Sequence, residues 1–84
     1  MEKYTVEVKV ELKKGVTDPE GENTKKALAL LGFNAIETVR SIRVYELMVS
    51  AETKEKAIAI AEESCRKLLA NPVIHNYKIM VREQ

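Results

Sequence analysis

Eighty-four residues make one domain, small enough that folding removes only about 60 to 65% of the unfolded chain's surface, so the stability margin is thin and a partner would help. Fourteen basic and 13 acidic side chains cancel to a formal +1, which leaves no excess field to attract a phosphate backbone or an anionic membrane and weighs against nucleic acid as a ligand. No apolar run approaches the roughly 18 residues that span a bilayer, and Met1-Glu2-Lys3 passes straight into a strand pattern without a signal-peptide core. A soluble, cytoplasmic protein is therefore expected, and the single Cys65, which cannot form an internal disulfide, agrees with a reducing compartment.

Taken in order, Tyr4, Val6, Val8, Val10 and Leu12 alternate with Thr5, Glu7, Lys9, Glu11 and Lys13. Strand side chains repeat with period two, so this pattern predicts a half-buried strand with one apolar face. Gly15-Val16-Thr17-Asp18-Pro19-Glu20-Gly21 follows and reads as a loop into a helix, with Asp18 able to cap the orphan N–H groups and Pro19 suited to the first helical position. Thr24, Ala27, Leu28 and Leu31 then recur at helical spacing, and Gly32 stands where a left-handed cap belongs, with Phe33 placed to fold back on Leu28. Gly21 in the first turn costs about 1 kcal/mol against alanine, which either reflects a close approach by another backbone or simple tolerance near a frayed end.

From Ile36 to Ser50 the chain is β-rich but its apolar phase changes: Val39, Tyr45, Leu47 and Val49 share one parity, Ile36, Ile42, Val44 and Met48 the other. Either a turn near Ser41 to Arg43 divides the segment into two strands or one long strand carries apolar residues on both faces, and two strands is the expectation. Thr53 caps a second helix running to about Leu69, with Ala57, Ile58, Ala61, Cys65, Leu68 and Leu69 on one face. Glu62 with Arg66 and Glu63 with Lys67 make acid-before-base pairs on its solvent side. Asn71-Pro72 ends the helix, and Val73 to Arg82 forms the last strand with Tyr77, Ile79 and Val81 on one side. Residues 1–84 thus read as a single α+β domain of order β-α-β-β-α-β, an antiparallel sheet with two helices on one face, ferredoxin-like or closely related.

Catalytic chemistry is sparse. One histidine and one cysteine exclude the usual metal-ligand spacings, and no phosphate-binding glycine loop or nucleophile elbow occurs. His75 reads as a loop or surface residue, Cys65 as a small buried hydrophobe, and the three tyrosines as core or interface residues on apolar strand faces. An acylphosphatase-type hydrolase would need an arginine-bearing anion loop after the first strand, of which Lys13-Lys14-Gly15 is only a faint echo.

Several stretches resemble the PurS family, the small accessory subunit of phosphoribosylformylglycinamidine synthase: the first strand with Lys14-Gly15-Val16-Thr17-Asp18-Pro19-Glu20-Gly21, then Ala27-Leu28 and Gly32, Val39-Arg40 with Tyr45-Glu46-Leu47, and Leu68 to Ile74 with Tyr77. Length and element order match from end to end. One departure is Ile42, where family members often have a glycine in the turn before a third strand; isoleucine disfavours a positive φ.

The resemblance implies a subunit without catalytic residues, without a metal and without a cofactor of its own. ATP and magnesium would sit on a large synthetase subunit, a glutaminase subunit would release ammonia, and this chain, as the usually dimeric small subunit, would bridge the two. Its long regular strands and middle segment apolar on both faces separately lead to the expectation of a homodimer or dimer of dimers formed through strands. By motif match the partner-interface residues would be Gly15, Asp18, Pro19, Gly21 and Arg40 with Asn71, Pro72, Val73 and Ile74. The competing reading is a small-molecule-sensing regulatory domain of the ACT kind, which shares the element order and dimerises.

Overall fold

A computed structural model of the chain describes residues 1–83. The alternating N-terminal segment forms strand β1 (Glu2–Leu12), and Tyr4, Val6, Val8 and Val10 are buried along one side of it, Val6 and Val8 completely. β1 is the middle strand of a three-stranded antiparallel sheet, flanked by β2 (Ile42–Ala51) and β3 (His75–Glu83) in the order β2-β1-β3. The register sets Val8 between Tyr45 and Ile79, and Val6 between Leu47 and Val81, so the apolar side chains of all three strands fall on one face.

Helix α2 (Lys54–Ser64) lies across that face and packs on all three strands. Its contact residues Ala57, Ala61 and Cys65 are small and fully buried, which lets the helix backbone approach the sheet closely. Thr53 caps it as expected, its Oγ1 accepting from the Lys56 N–H at 3.2 Å. Beyond Ser64 the helix widens into one π-helical turn, Cys65–Leu69, closed by the Ala70 N–H donating to the Cys65 carbonyl at 2.9 Å. The extra residue breaks the expected apolar face: Leu68 is rotated outward and is 84% exposed, while Leu69 is half-buried and Ala70 buried.

The α+β class holds, with its antiparallel sheet and two helices. Two details within it differ from the sequence reading. Between the helices the chain supplies one strand to the sheet, not two, and residues 36–41 approach it as irregular chain. The phase change is the signature of a single strand apolar on both sides: Tyr45, Leu47 and Val49 face the core, whereas Ile42, Val44 and Met48 lie on the outer face and are exposed. The second difference concerns α1 (Pro19–Leu30), which does not join α2 over the sheet. Gly21 is its only buried residue. Leu30, Leu31 and Phe33 at its far end are 89, 74 and 56% exposed. The molecule is consequently long, 52 × 28 × 14 Å, with a radius of gyration of 16.4 Å where a compact chain of this length has about 12 Å.

The cap of α1 follows the expected form. Gly32 has φ +96°, its N–H donates to the Ala29 carbonyl at 3.0 Å, and the Phe33 N–H donates to the Leu28 carbonyl at 3.0 Å. Those paired bonds are a Schellman closure, which uses a left-handed glycine to satisfy carbonyls the helix leaves open.

Candidate partner interface at one end of the sheet

Because both pairings are antiparallel, the last residues of β1 lie beside the first residues of its neighbours: Glu11 is opposite Ile42, and Leu12 is opposite His75. Three connecting stretches, residues 13–18, 39–41 and 70–74, therefore converge on one end of the sheet. The motif-matched residues are all found there.

Gly15, at φ +87°, turns the chain out of β1, and the Val16 N–H closes that turn on the Lys13 carbonyl at 3.1 Å. Asp18 then does two things. Its Oδ1 accepts from the Gly21 N–H at 2.9 Å, the expected cap, and its Oδ2 accepts from the Ser41 N–H at 2.7 Å, tying the start of α1 to the residue before β2. These backbone donors, Ser41 first, hold the Asp18 carboxyl below the ordinary aspartate value. Gly21 completes the clamp: a Cβ at this position would stand 2.5 Å from the Val39 carbonyl oxygen and 2.6 Å from Asp18 Oδ2. Close approach of another backbone, and not tolerance near a frayed end, is thus why glycine is needed here.

Arg40 reaches across the same end, its Nη2 donating to Glu11 Oε2 at 3.3 Å and to the Leu12 carbonyl at 3.4 Å. On the opposite flank of β1, the Lys13 N–H donates to the Ile74 carbonyl at 2.8 Å and joins the 70–74 segment to the sheet. Asn71 builds that segment: its Oδ1 accepts from the Val73 N–H at 3.0 Å, and its carbonyl accepts from the Ile74 and His75 N–H groups at 3.0 and 2.8 Å. Its own N–H donates to His75 Nδ1 at 2.8 Å, so neutral His75 carries its proton on Nε2. Pro19, Pro72 and Val73 are exposed around this framework, Val73 by 79%.

Two open hollows flank the framework. One of about 490 Å³ is walled by Glu11, Lys13, Lys14, Arg40 and Asn76, the other of about 420 Å³ by Leu12, Asp18, Arg43, Leu69 and His75. Charges of both signs line them, and Ser41 stands beside Asp18 in both. Among the described residues no three His, Cys, Asp or Glu side chains gather to hold a metal, and no helix is long and apolar enough to cross a membrane.

All nine motif-matched residues, from Gly15 to Ile74, meet at this one end of the sheet. Six partners that assemble it were not singled out as interface residues: Glu11, Leu12, Lys13, Val39, Ser41 and His75. Ser41 and Val39 act through backbone atoms, which carry no residue signature. Ile42, the departure from the family pattern, is no turn residue at all; it opens β2, and among the described residues no non-glycine has a positive φ.

The PurS family model, described as phosphoribosylformylglycinamidine (FGAM) synthase, matches residues 5–83. The chain belongs to the PurS family. Among curated relatives, the PurS subunit of phosphoribosylformylglycinamidine synthase from Archaeoglobus fulgidus is 49% identical over 77 residues, covering 92% of this chain and 96% of the relative. The subunit of the same name from Methanocaldococcus jannaschii is 44% identical over 80 residues, covering 95 and 96%. The crystal structure of M. jannaschii PurS, described as one of the subunits of formylglycinamide ribonucleotide amidotransferase, superposes with a TM-score of 0.85 at 43% identity over 96% of this chain and 98% of that one. A chain in the structure of PurLQS from Thermotoga maritima gives 0.87 at 30% identity, over 98% of this chain and 100% of that one. The PurS assignment made from the motifs therefore stands.

Proposed function

We propose that this chain is the accessory subunit of an FGAM synthase, holding an ATP-dependent synthetase subunit beside a glutaminase subunit so that ammonia passes between them without escaping. The carrying observation is the end-to-end likeness to PurS subunits, extended by the likeness to a chain of the T. maritima PurLQS structure. On this reading formylglycinamide ribonucleotide, ATP and glutamine are converted in the cytoplasm to the amidine, ADP, phosphate and glutamate. ATP and magnesium sit on the synthetase, and this chain supplies surface, not catalytic groups or a cofactor. The converged sheet end is where a partner docks, since its loops are pinned by Asp18, Gly21, Arg40 and Asn71 and are ordered before binding, which lowers the entropy cost of association.

Self-association through strands, as a dimer or dimer of dimers, belongs to the same reading. β2 and β3 are both edges of the sheet, and the outer face exposes Ile42, Val44, Met48 and Met80. The chain also exposes 6377 Å² where a compact monomer of 9.5 kDa exposes about 5,000 Å².

The test is glutamine-dependent formation of the amidine by the matching synthetase and glutaminase, with and without this chain, beside the same assay fed with ammonia. Glutamine-supported turnover that requires the chain, with ammonia-supported turnover needing it far less, is the expected result. If the chain changes neither, the coupling role is wrong and an amino-acid-sensing module takes its place.

A further inference from the structure

We propose that His75 is a proton-sensitive latch for residues 70–74: the neutral imidazole holds the segment in place, and an imidazole that takes up a proton releases it.

The segment leaves the π turn at Ala70 and enters β3 at His75, and its bonds centre on Asn71. The Asn71 side-chain oxygen accepts from the Val73 N–H, and its carbonyl accepts from the Ile74 and His75 N–H groups, none of which titrates. The Asn71 N–H is different. It donates at 2.8 Å to His75 Nδ1, which is an acceptor while the ring is neutral and a donor once both ring nitrogens carry protons. Protonation therefore sets two N–H groups against each other across this contact. Histidine is the side chain whose charge ordinarily changes near neutral pH, and the bond belongs to its neutral form, so the bond is present at high pH and lost on acidification.

The surroundings do not replace what the proton removes. The titratable and charged groups that share a hollow with His75 are Glu11 of β1 with Lys13 just past it, Asp18 and Glu20 at the start of α1, Arg43 of β2, and Tyr77 and Lys78 of β3; the π turn presents uncharged Leu69. Both Asp18 oxygens are taken by the Gly21 and Ser41 N–H groups, and Glu11 faces Arg40. Among the described residues no carboxylate forms an ion pair with His75, and Lys13, Arg43 and Lys78 are cations without an ion pair of their own.

Release has a defined extent. The Ala70 N–H stays on the Cys65 carbonyl at 2.9 Å, and the Ile74 carbonyl stays on the Lys13 N–H at 2.8 Å, bonds that no proton breaks. Both ends remain fastened while the exposed turn from Asn71 to Val73 opens to water. Asn71, Pro72 and Val73 belong to the motif-matched surface, so on the docking role proposed above, acid weakens partner binding by raising the cost of ordering this turn. The latch itself does not depend on that role.

The test uses the intact chain alone, followed by NMR above and below the midpoint of the His75 ring titration, which the ring nitrogen shifts report. Above it, the neutral ring is expected to carry its proton on Nε2 and to show a nitrogen–nitrogen coupling through the hydrogen bond to the Asn71 amide. Below it, that coupling is expected to vanish and the protection of the Asn71 amide against hydrogen exchange, corrected for intrinsic rate, to fall about tenfold, the equivalent of one hydrogen bond. The Lys56 amide, bonded to the Thr53 hydroxyl, is the internal control and should not change. In His75→Asn, whose Oδ1 can accept in place of Nδ1 but does not titrate, Asn71 protection is expected to be independent of pH. A neutral ring protonated on Nδ1, an Asn71 amide equally protected on both sides of the titration, or an acid loss that persists in His75→Asn overturns the latch. The coupling and the tautomer are read in the wild-type chain and decide the matter even if the variant fails to fold, and the turnover assay judges the coupling of the two enzymes separately.

Discussion

Helices α1 and α2 have nearly the same length, 12 and 11 residues, and each begins at a side-chain cap that bonds its first turn. They end in opposite situations. α2 buries Ala57, Ala61 and, just past its end, Cys65 against all three strands, whereas α1 buries only Gly21 and holds Leu30 and Leu31 in solvent. What differs is how each helix is attached. Two residues, Glu52 and Thr53, lie between β2 and α2 and fold the helix straight back along the sheet. α1 is instead bonded at its first turn to the chain entering β2, and that bond sets its direction. An apolar helix stripe thus does not by itself place a helix on the sheet of its own chain; the anchoring of the helix decides that.

The contrast is sharpest for matched substitutions. Ala61→Leu adds three carbons where no space is open and is expected to cost about 3 kcal/mol, whereas Ala27→Leu on exposed α1 is expected to change stability by less than about 0.5 kcal/mol. Urea unfolding of both, at concentrations where the protein is monomeric, checks the pair; equal losses would mean that α1 is packed in solution.

Gly21→Ala breaks the attachment itself. Alanine gains about 1 kcal/mol of helix propensity, but its methyl meets a backbone carbonyl that cannot rotate away, at an overpacking cost of about 2 to 3 kcal/mol. A net loss of about 1 to 2 kcal/mol is expected from thermal unfolding, and a stabilised variant would remove the clamp.

Asp18→Asn tests the same clamp by pH. The folded-state carboxyl is held below its unfolded value, so its contribution is present above the unfolded pKa and is lost as pH falls through the folded one. Melting of the variant and the parent from pH 7 to pH 2.5 should show a lower Tm for the variant at neutral pH, with the gap closing in acid. A gap independent of pH would assign the effect to shape and not to charge.

The smallest effect belongs to the solvent side of α2. Glu63 and Lys67 lie 2.8 Å apart and both are more than half exposed, so Glu63→Gln is expected to cost about 0.3 kcal/mol in low salt and nothing measurable at high salt. A loss that persisted in high salt would show that Glu63 does more than pair with Lys67.

Much of this architecture is legible in short windows of the chain. β1 shows itself because alternation has period two and needs no distant residue, and Asp18, Thr53 and Gly32 show themselves because capping is an exchange of bonds within one helical turn. The nine interface candidates also came from local motifs, and the fold brings them together. The rest was hidden for physical reasons. In β2 the two apolar parities look like a broken strand until the sheet shows that both faces of one strand carry them. The π turn at Cys65–Leu69 has no residue signature, so Leu68 reads as core when it is surface.

By itself the sequence determined the helix caps, the apolar face of β1, the pairing of charges along α2 and the family to which the chain belongs. Each of these depends on interactions within a few residues or on a string of residues matched as it stands. Only the tertiary structure decided that Asp18 and Gly21 clamp the segment 23 positions beyond Asp18, and that this clamp directs α1 off the sheet. A contact between a carboxylate and a backbone N–H so far along the chain leaves no pattern in either neighbourhood, and the direction of a helix is set by such contacts.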